Sequence, residues 1–73
     1  MRVLIVDDEK NIRESIRRYL DTEKIESVAA ENGLSAKRLL QEQGFTAGIV
    51  DLRMPGMDGL ELLRWIREEG PRL

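Results

Sequence analysis

The amino-acid sequence predicts an α/β fold with a doubly wound parallel sheet in the order βαβαβα. Two observations predict it. Short apolar runs at 3–6 and 48–50, rich in β-branched residues, are typical of buried parallel strands. Segments with a helical spacing of apolar residues alternate with the strand-like runs, and right-handed crossovers then place helices on both faces of the sheet. With 73 residues, the sequence is expected to form one domain at most.

The first βα unit begins at the amino terminus. Residues 2–6 are predicted to form a strand, and a helix is expected from about Asn11 to Asp21. Four apolar residues recur at i, i+4, i+7 and i+8 and mark one face of this helix: Ile12, Ile16, Tyr19 and Leu20.

The second unit starts with a weaker strand, from Ile25 to Ala29. Polar residues interrupt its apolar ones, as an edge strand allows. The turn signal Glu31-Asn32-Gly33 precedes a short helix that ends near Gly44. The apolar positions of that helix are Leu34, Ala36, Leu39 and Leu40.

The third unit consists of a strand from Phe45 to Val50, a loop over 53–59 and a helix from about Leu60 to Glu69. Trp65 is predicted to be a half-buried helix aromatic. Three residues of the helix are expected to point inward: Leu62, Leu63 and Ile66.

The loop before the third helix has recognisable turn chemistry. Pro55-Gly56 suits the central positions of a type II turn, Asp58 is a candidate N-cap, and Gly59 permits a close backbone approach. An ordinary tight βα connection accounts for each of these residues taken singly.

Composition narrows the classes of function. There are 12 basic and 14 acidic side chains, a net charge of −2, and neither His nor Cys. Disulfides, thiol chemistry, histidine catalysis and Cys/His zinc sites are therefore excluded for these residues, and no direct contact with nucleic acid is expected. The longest apolar runs fall far short of the roughly 20 residues that span a bilayer. We therefore expect no membrane partner and a cytoplasmic protein.

Three carboxylates follow the predicted strands. Asp7 and Asp8 come directly after the first run, and Asp51 directly after the third strand. Because the carboxyl ends of parallel strands meet at one edge of the sheet, we expect these acids to converge on a site for a hard cation such as Mg²⁺. Two structural alternatives stay open: Asp7 or Asp8 could cap the first helix, and Asp51 could merely solubilise a loop.

Several motifs, taken together, resemble one family. The strings VLIVDDE, AENG and VDLRMPGMDGLELL, and the spacing among them, are similar to the receiver domain of two-component response regulators, the CheY-like family with a flavodoxin-like fold. Within the family, these motifs are most similar to those of receivers of the NtrC type. The resemblance extends over all 73 residues.

The resemblance implies a role for each of the three acids that follow the strands. Asp51 would be the phosphoacceptor that takes a phosphoryl group from a sensor histidine kinase. Asp8, Asp51 and the backbone carbonyl of Arg53 would bind Mg²⁺, and Asp7 would bind it directly or orient a bound water. Phosphorylation would control an output domain that regulates transcription, of an AAA+ or DNA-binding kind.

The resemblance also implies that residues 1–73 are a partial receiver domain with the first three of five βα units. The family strand order 2-1-3-4-5 would then be reduced to 2-1-3, with the third strand as an open edge and a route to self-association. A hydroxyl residue and a lysine, which in the family bind the phosphoryl oxygens, would lie in the other two units. Ala47 and Gly48 are small where receivers usually have large aliphatic residues.

Two other classes of function compete with this interpretation. One is a half-domain that acts as a structural or dimerisation module without switching. The other is a phosphatase of the haloacid dehalogenase kind, which also uses a strand-end aspartate and Mg²⁺. That family requires a second acid two residues after the nucleophile, where this sequence has Arg53, so we expect a regulatory domain and not an enzyme.

Overall fold

Strands and helices alternate along the chain, as the sequence predicts. The computed structural model describes residues 1–54 and 58–70. The elements are β1 (Arg2–Val6), α1 (Lys10–Thr22), β2 (Glu26–Ala30), α2 (Gly33–Glu42), β3 (Ala47–Val50) and α3 (Gly59–Glu69). The predicted bounds agree with these to within one or two residues at each end.

The three strands form one parallel sheet in the order β2-β1-β3. Val6 of β1 stands opposite Ala30 of β2 on one side and Val50 of β3 on the other. The central strand, β1, is therefore bonded along both edges and carries most of the deeply buried side chains. The predicted order 2-1-3 and the position of β2 at an edge are both confirmed.

Alternate residues of β1 serve two separate cores, as the two-residue period of a strand requires. Leu4 and Val6 point into a core that contains residues of α2 and α3, including the fully buried Leu62. Val3 and Ile5 point to the opposite face and pack with Leu20 of α1, while Ile16, Ile25 and Ala29 pack against that cluster. The sheet thus separates α1 from the other two helices.

The apolar faces predicted for the helices are broader than the faces that the structure buries. Tyr19 is 64% exposed and Leu34 is 62% exposed, and Ile12 and Leu63 are also exposed. With about 100° between successive helical residues, Ile12 and Tyr19 lie on one margin of the α1 stripe and Leu20 lies on the other. The expectation that Leu63 points inward is therefore wrong, and the apolar stripes of α1 and α2 also include exposed side chains.

The third strand is less buried than its apolar run predicts. Ala47, Gly48 and Ile49 are all exposed, and Val50 is half-buried. Within 1–54 and 58–70, β3 pairs with β1 alone. Its outer edge is therefore open, which confirms the expected edge and explains why small residues at two of its positions leave no buried cavity.

Helix termini follow local sequence signals. Asn32 caps α2, because its Oδ1 accepts a hydrogen bond from the Ser35 amide at 2.8 Å, and Gly70 ends α3 in the left-handed region at φ 72°.

Trp65 is half-buried against the larger core, as predicted, with Lys37 Nζ lying 5.0 Å from the centre of its ring. No helix in the two described stretches has the length and apolarity needed to cross a membrane.

Candidate metal and phosphoryl-transfer site

The parallel ladder places two of the acids side by side. The Asp7 amide donates to the carbonyl of Ala30 at 3.2 Å, and the Asp51 amide donates to the carbonyl of Val6 at 2.8 Å. Each bond continues the sheet one residue beyond a strand. Since Val6 is opposite Val50, Asp7 and Asp51 emerge together from the carboxyl edge of the sheet.

Each of these two carboxylates is held by the backbone two residues further on. Asp7 Oδ1 accepts a hydrogen bond from the Glu9 amide, and Asp51 Oδ1 accepts one from the Arg53 amide, both at 2.9 Å. Such Asx turns restrict the side chain while they leave the second carboxylate oxygen to face another partner. The two aspartates are thus presented in the same way from neighbouring strands.

The alternative in which Asp7 or Asp8 caps the first helix is not what the structure shows. The N-cap of α1 is Glu9, and no side-chain hydrogen bond caps this helix. Asp7 Oδ1 instead accepts the hydrogen bond from the Glu9 amide, in the turn before α1. A carboxylate held in this way remains beside Asp51, whereas a capping carboxylate would turn towards the first amides of the helix.

The three acids converge as the strand-end pattern predicts. Asp7, Asp8 and Asp51 each offer one carboxylate oxygen, and these oxygens all lie within 4.8 Å of one another. Asp7 and Asp51 are half-buried and Asp8 is exposed. An octahedral Mg²⁺ with bonds of 2.0–2.1 Å separates opposite ligand oxygens by about 4.2 Å, so small side-chain rotations close the cluster around such an ion. The donor set fits Mg²⁺, which prefers carboxylate and water oxygens.

Among the described residues, no basic side chain forms an ion pair with an acid of this cluster. The ion pairs among the described residues are Arg2–Glu26 at 3.1 Å and Lys10–Glu14 at 3.9 Å, and neither includes an acid of the cluster. Three carboxylates at this distance repel one another unless a cation lies among them. The arrangement is therefore one that a divalent cation stabilises.

The start of α3 lies directly beside the end of β3. Asp58 Oδ1 accepts a hydrogen bond from the Glu61 amide at 2.8 Å, which confirms the predicted N-cap, and Gly59 is buried against the backbone of Asp51.

The predicted Pro55-Gly56 turn lies outside the described residues. Arg53 is exposed and contributes its amide to Asp51. The proposed use of its carbonyl as a metal ligand stays a prediction.

Arg13 is part of this region although the sequence alone does not indicate it. Its Nη1 donates to the backbone carbonyl of Asp7 at 2.9 Å in a part-buried bond. The available signal is only a basic residue six positions after an acid, in the first turns of a helix. That spacing recurs by chance in charged helices, so it does not predict the contact.

Comparison with known proteins is consistent with this geometry. Residues 3–73 match the response regulator receiver domain family. The transcriptional regulatory protein ResD of Bacillus subtilis is 43% identical over 68 residues, which are 93% of this chain and 28% of ResD. The transcriptional regulatory protein SrrA of Staphylococcus aureus is 39% identical over 66 residues, 90% of this chain and 27% of SrrA. The chain thus spans little more than a quarter of these relatives.

Solved structures share the fold. The response regulator TrrA of Thermotoga maritima, crystallised in complex with Mg²⁺-BeF, superposes with a TM-score of 0.89 at 41% identity, over 93% of this chain and 59% of TrrA. TrrA in complex with the histidine kinase ThkA superposes with a TM-score of 0.87 over the same shares of the two chains. Both are similarities of this chain to parts of longer proteins.

Proposed function

This chain belongs to the response regulator receiver domain family, and from that membership we propose that Asp51 is its phosphoacceptor. The observation that carries the proposal is the cluster of three carboxylates, whose oxygens lie within 4.8 Å of one another at the carboxyl edge of the sheet. Asp51 extends from β3, and Asp7 and Asp8 extend from β1. A nucleophile and a cation site therefore share one edge.

Asp7 and Asp8 would hold Mg²⁺ with Asp51, and the carbonyl of Arg53 would complete the protein ligands. When bound, Mg²⁺ supplies positive charge that offsets the charge of the acids and of the incoming phosphoryl oxygens. The Asx turns at Asp7 and Asp51 support this assignment, because each holds its carboxylate at the edge of the sheet, and an oxygen that accepts one amide hydrogen bond keeps a lone pair for the ion.

The transfer step uses the free oxygen of Asp51. That oxygen attacks the phosphorus of a phosphohistidine, an O–P bond forms, and the P–N bond breaks with its electron pair returning to the ring nitrogen. A carboxylate is already an anion, so no base has to remove a proton. The hydrogen bond from the Arg53 amide holds the carboxylate in one orientation during the attack.

The phosphoryl donor and the receiver of the signal are proposed from the relatives. A sensor histidine kinase is the proposed donor, supported by the complex of ThkA with the similar response regulator TrrA. Control of a transcription-regulating output domain is supported by the similarity to ResD and SrrA, both transcriptional regulatory proteins, and an AAA+ or DNA-binding kind stays a prediction. The balanced charge of this segment gives it no electrostatic basis for binding nucleic acid directly.

Intact mass spectrometry tests the assignment of the phosphoacceptor. Incubation with acetyl phosphate and Mg²⁺ is expected to add one phosphoryl group to the chain. Hydroxylamine is expected to attack the carbonyl carbon of the resulting acyl phosphate, which releases inorganic phosphate and leaves a hydroxamate on the side chain. The variant Asp51→Asn keeps the shape of the side chain and is expected to remain unmodified. Equal modification of this variant would contradict the assignment.

A second candidate function is a structural module that self-associates without switching. The open outer edge of β3 favours it, since Ile49 is 44% exposed beside unpaired strand backbone. We propose that copies of this chain associate through that edge, because an exposed apolar strand is a template for pairing. Self-association is compatible with phosphorylation, and only the absence of modification at Asp51 would favour the structural module alone.

A further inference from the structure

Arg13 ties together the two sides of the turn that carries Asp7 and Asp8. Its amide donates to the carbonyl of Glu9 at 3.1 Å, and its side-chain Nη1 donates to the carbonyl of Asp7 at 2.9 Å. The side-chain bond is part-buried and joins residues six positions apart. One residue of α1 thus holds the two backbone carbonyls that flank Asp8.

The same turn is closed by a third hydrogen bond, from the Glu9 amide to Asp7 Oδ1 at 2.9 Å. That bond needs the backbone between Asp7 and Glu9 to keep its curvature. The Arg13 side chain restrains this curvature at the Asp7 carbonyl, so the Asx turn and the Arg13 contact stabilise each other.

The guanidinium contacts a carbonyl and not a carboxylate. In residues 1–54 and 58–70, no ion pair joins Arg13 to an acid of the cluster. An arginine placed directly on these acids would occupy the oxygens that a cation needs. At the Asp7 carbonyl, Arg13 orders the turn and leaves those oxygens accessible.

We propose that Arg13 is a positioning residue for the Mg²⁺ site. The sheet places the backbone of both Asp7 and Asp51, but the Asp7 carboxylate and Asp8 also depend on the turn that Arg13 holds, so the distance from their oxygens to those of Asp51 depends on this contact. The inference rests on the proposed metal site, but its first consequence concerns the metal-free chain.

Amide exchange with water in the metal-free chain, followed by NMR at Glu9, is the first test. Arg13→Ala is expected to speed exchange of this amide about fivefold, because the turn that engages it loses a restraint. Arg17→Ala removes the same charge one turn further along α1 and is expected to leave the rate unchanged. Equal rates in both variants would overturn the proposal.

Mg²⁺ titration, followed by the amide shifts of Asp8 and Arg53, is the second test. Arg13→Ala is expected to weaken binding about fivefold, and Arg13→Lys, which keeps the charge and a donor, is expected to recover part of the loss. A purely structural role would shift the urea midpoint and leave the affinity unchanged. Should the unmodified chain bind no Mg²⁺, the proposed metal site fails, and the exchange rate of Glu9 alone decides the role of Arg13.

Discussion

The backbone of Gly59, at the start of α3, lies against the backbone carbonyl of Asp51 with no room for a side chain. A Cβ built on Gly59 would overlap the Asp51 carbonyl oxygen and lie 2.6 Å from the Cα of Leu52. Both atoms belong to the backbone, so no rotamer change relieves the overlap. The requirement is for space, and it couples the position of α3 to the strand end that presents the proposed phosphoacceptor.

Gly59→Ala is expected to destabilise the fold and to disturb the acidic site. Relief of the overlap must move either α3 or the end of β3, and overpacking of this kind costs about 1–3 kcal/mol. Urea unfolding measures the stability, and Mg²⁺ titration reports on the position of Asp51. We expect the affinity to fall with the stability.

Gly44→Ala is the matched control for this substitution. Apart from Gly44 and its two chain neighbours, no described residue has an atom within 4 Å of a Cβ built on Gly44. The change is expected to leave Mg²⁺ affinity unaltered and to be neutral or stabilising by about 0.4–1 kcal/mol, through the entropy of the unfolded chain. A larger loss of stability at Gly44 than at Gly59 would show that the packing argument is wrong.

The convergence of the acids could be predicted from the sequence because it requires only that β1 and β3 are parallel neighbours in the sheet. Once β1 and β3 are parallel neighbours, Val6 and Val50 align and the following residues, Asp7 and Asp51, emerge at the same edge. The predicted cap at Asp58 is local in the same way, since it uses an amide only three residues away. Asn32 caps α2 by the same local contact, although the sequence pattern predicts only a turn at this residue.

Other features depend on tertiary packing and backbone geometry, which the local sequence does not determine. Periodicity marks the apolar face of α1, but it does not say how much of that face the sheet covers, so the exposure of Tyr19 could not be foreseen. Asp7 can either cap a helix or close a turn, and backbone geometry selects the turn. The contact of Arg13 with Asp7 depends on that same geometry.

Asp8→Ala is expected to abolish Mg²⁺ binding. Asp8 is the exposed member of the cluster, and two remaining carboxylates offer too few charges to dehydrate an ion that gives up its water reluctantly. Titration followed by NMR measures the effect. Asp58→Asn is the control, because it removes one charge from the loop and preserves an effective N-cap on α3. If both variants lose affinity equally, the ligand assignment is wrong.

Self-association through β3 is expected to be sensitive to charge on that strand. Ile49→Lys places a charge on an open apolar edge and should shift the chain towards monomer, as edge lysines do in natural sheets. Sedimentation velocity over a range of concentrations measures the change. Leu34→Lys adds the same charge on the exposed side of α2 and is expected to have no effect. A well-ordered monomer of the unmodified chain at high micromolar concentration would refute this mode of association.

Phosphorylation is expected to be slower in this chain than in TrrA, of which it spans 59%. The chain contains the proposed nucleophile and metal ligands, so acetyl phosphate is expected to modify Asp51. The hydroxyl residue and lysine that the family uses to bind phosphoryl oxygens are expected in the two later βα units. In a sample limited to residues 1–73, those charge-assisted hydrogen bonds, worth roughly 1.5–3 kcal/mol each, are absent, so modification should be slow and incomplete.

The structural response to phosphorylation is expected to be small for the same reason. A phosphoryl group adds about −1.5 to −2 charges, but it shifts a conformation only if two arrangements of the chain differ in their contacts with it. The described turn around Asp51 offers the amide of Arg53 and the start of α3. Amide shift changes should therefore stay close to Asp7, Asp8 and Asp51. Modification at the rate of TrrA, lost in Asp51→Asn, would show that these residues alone suffice for the chemistry.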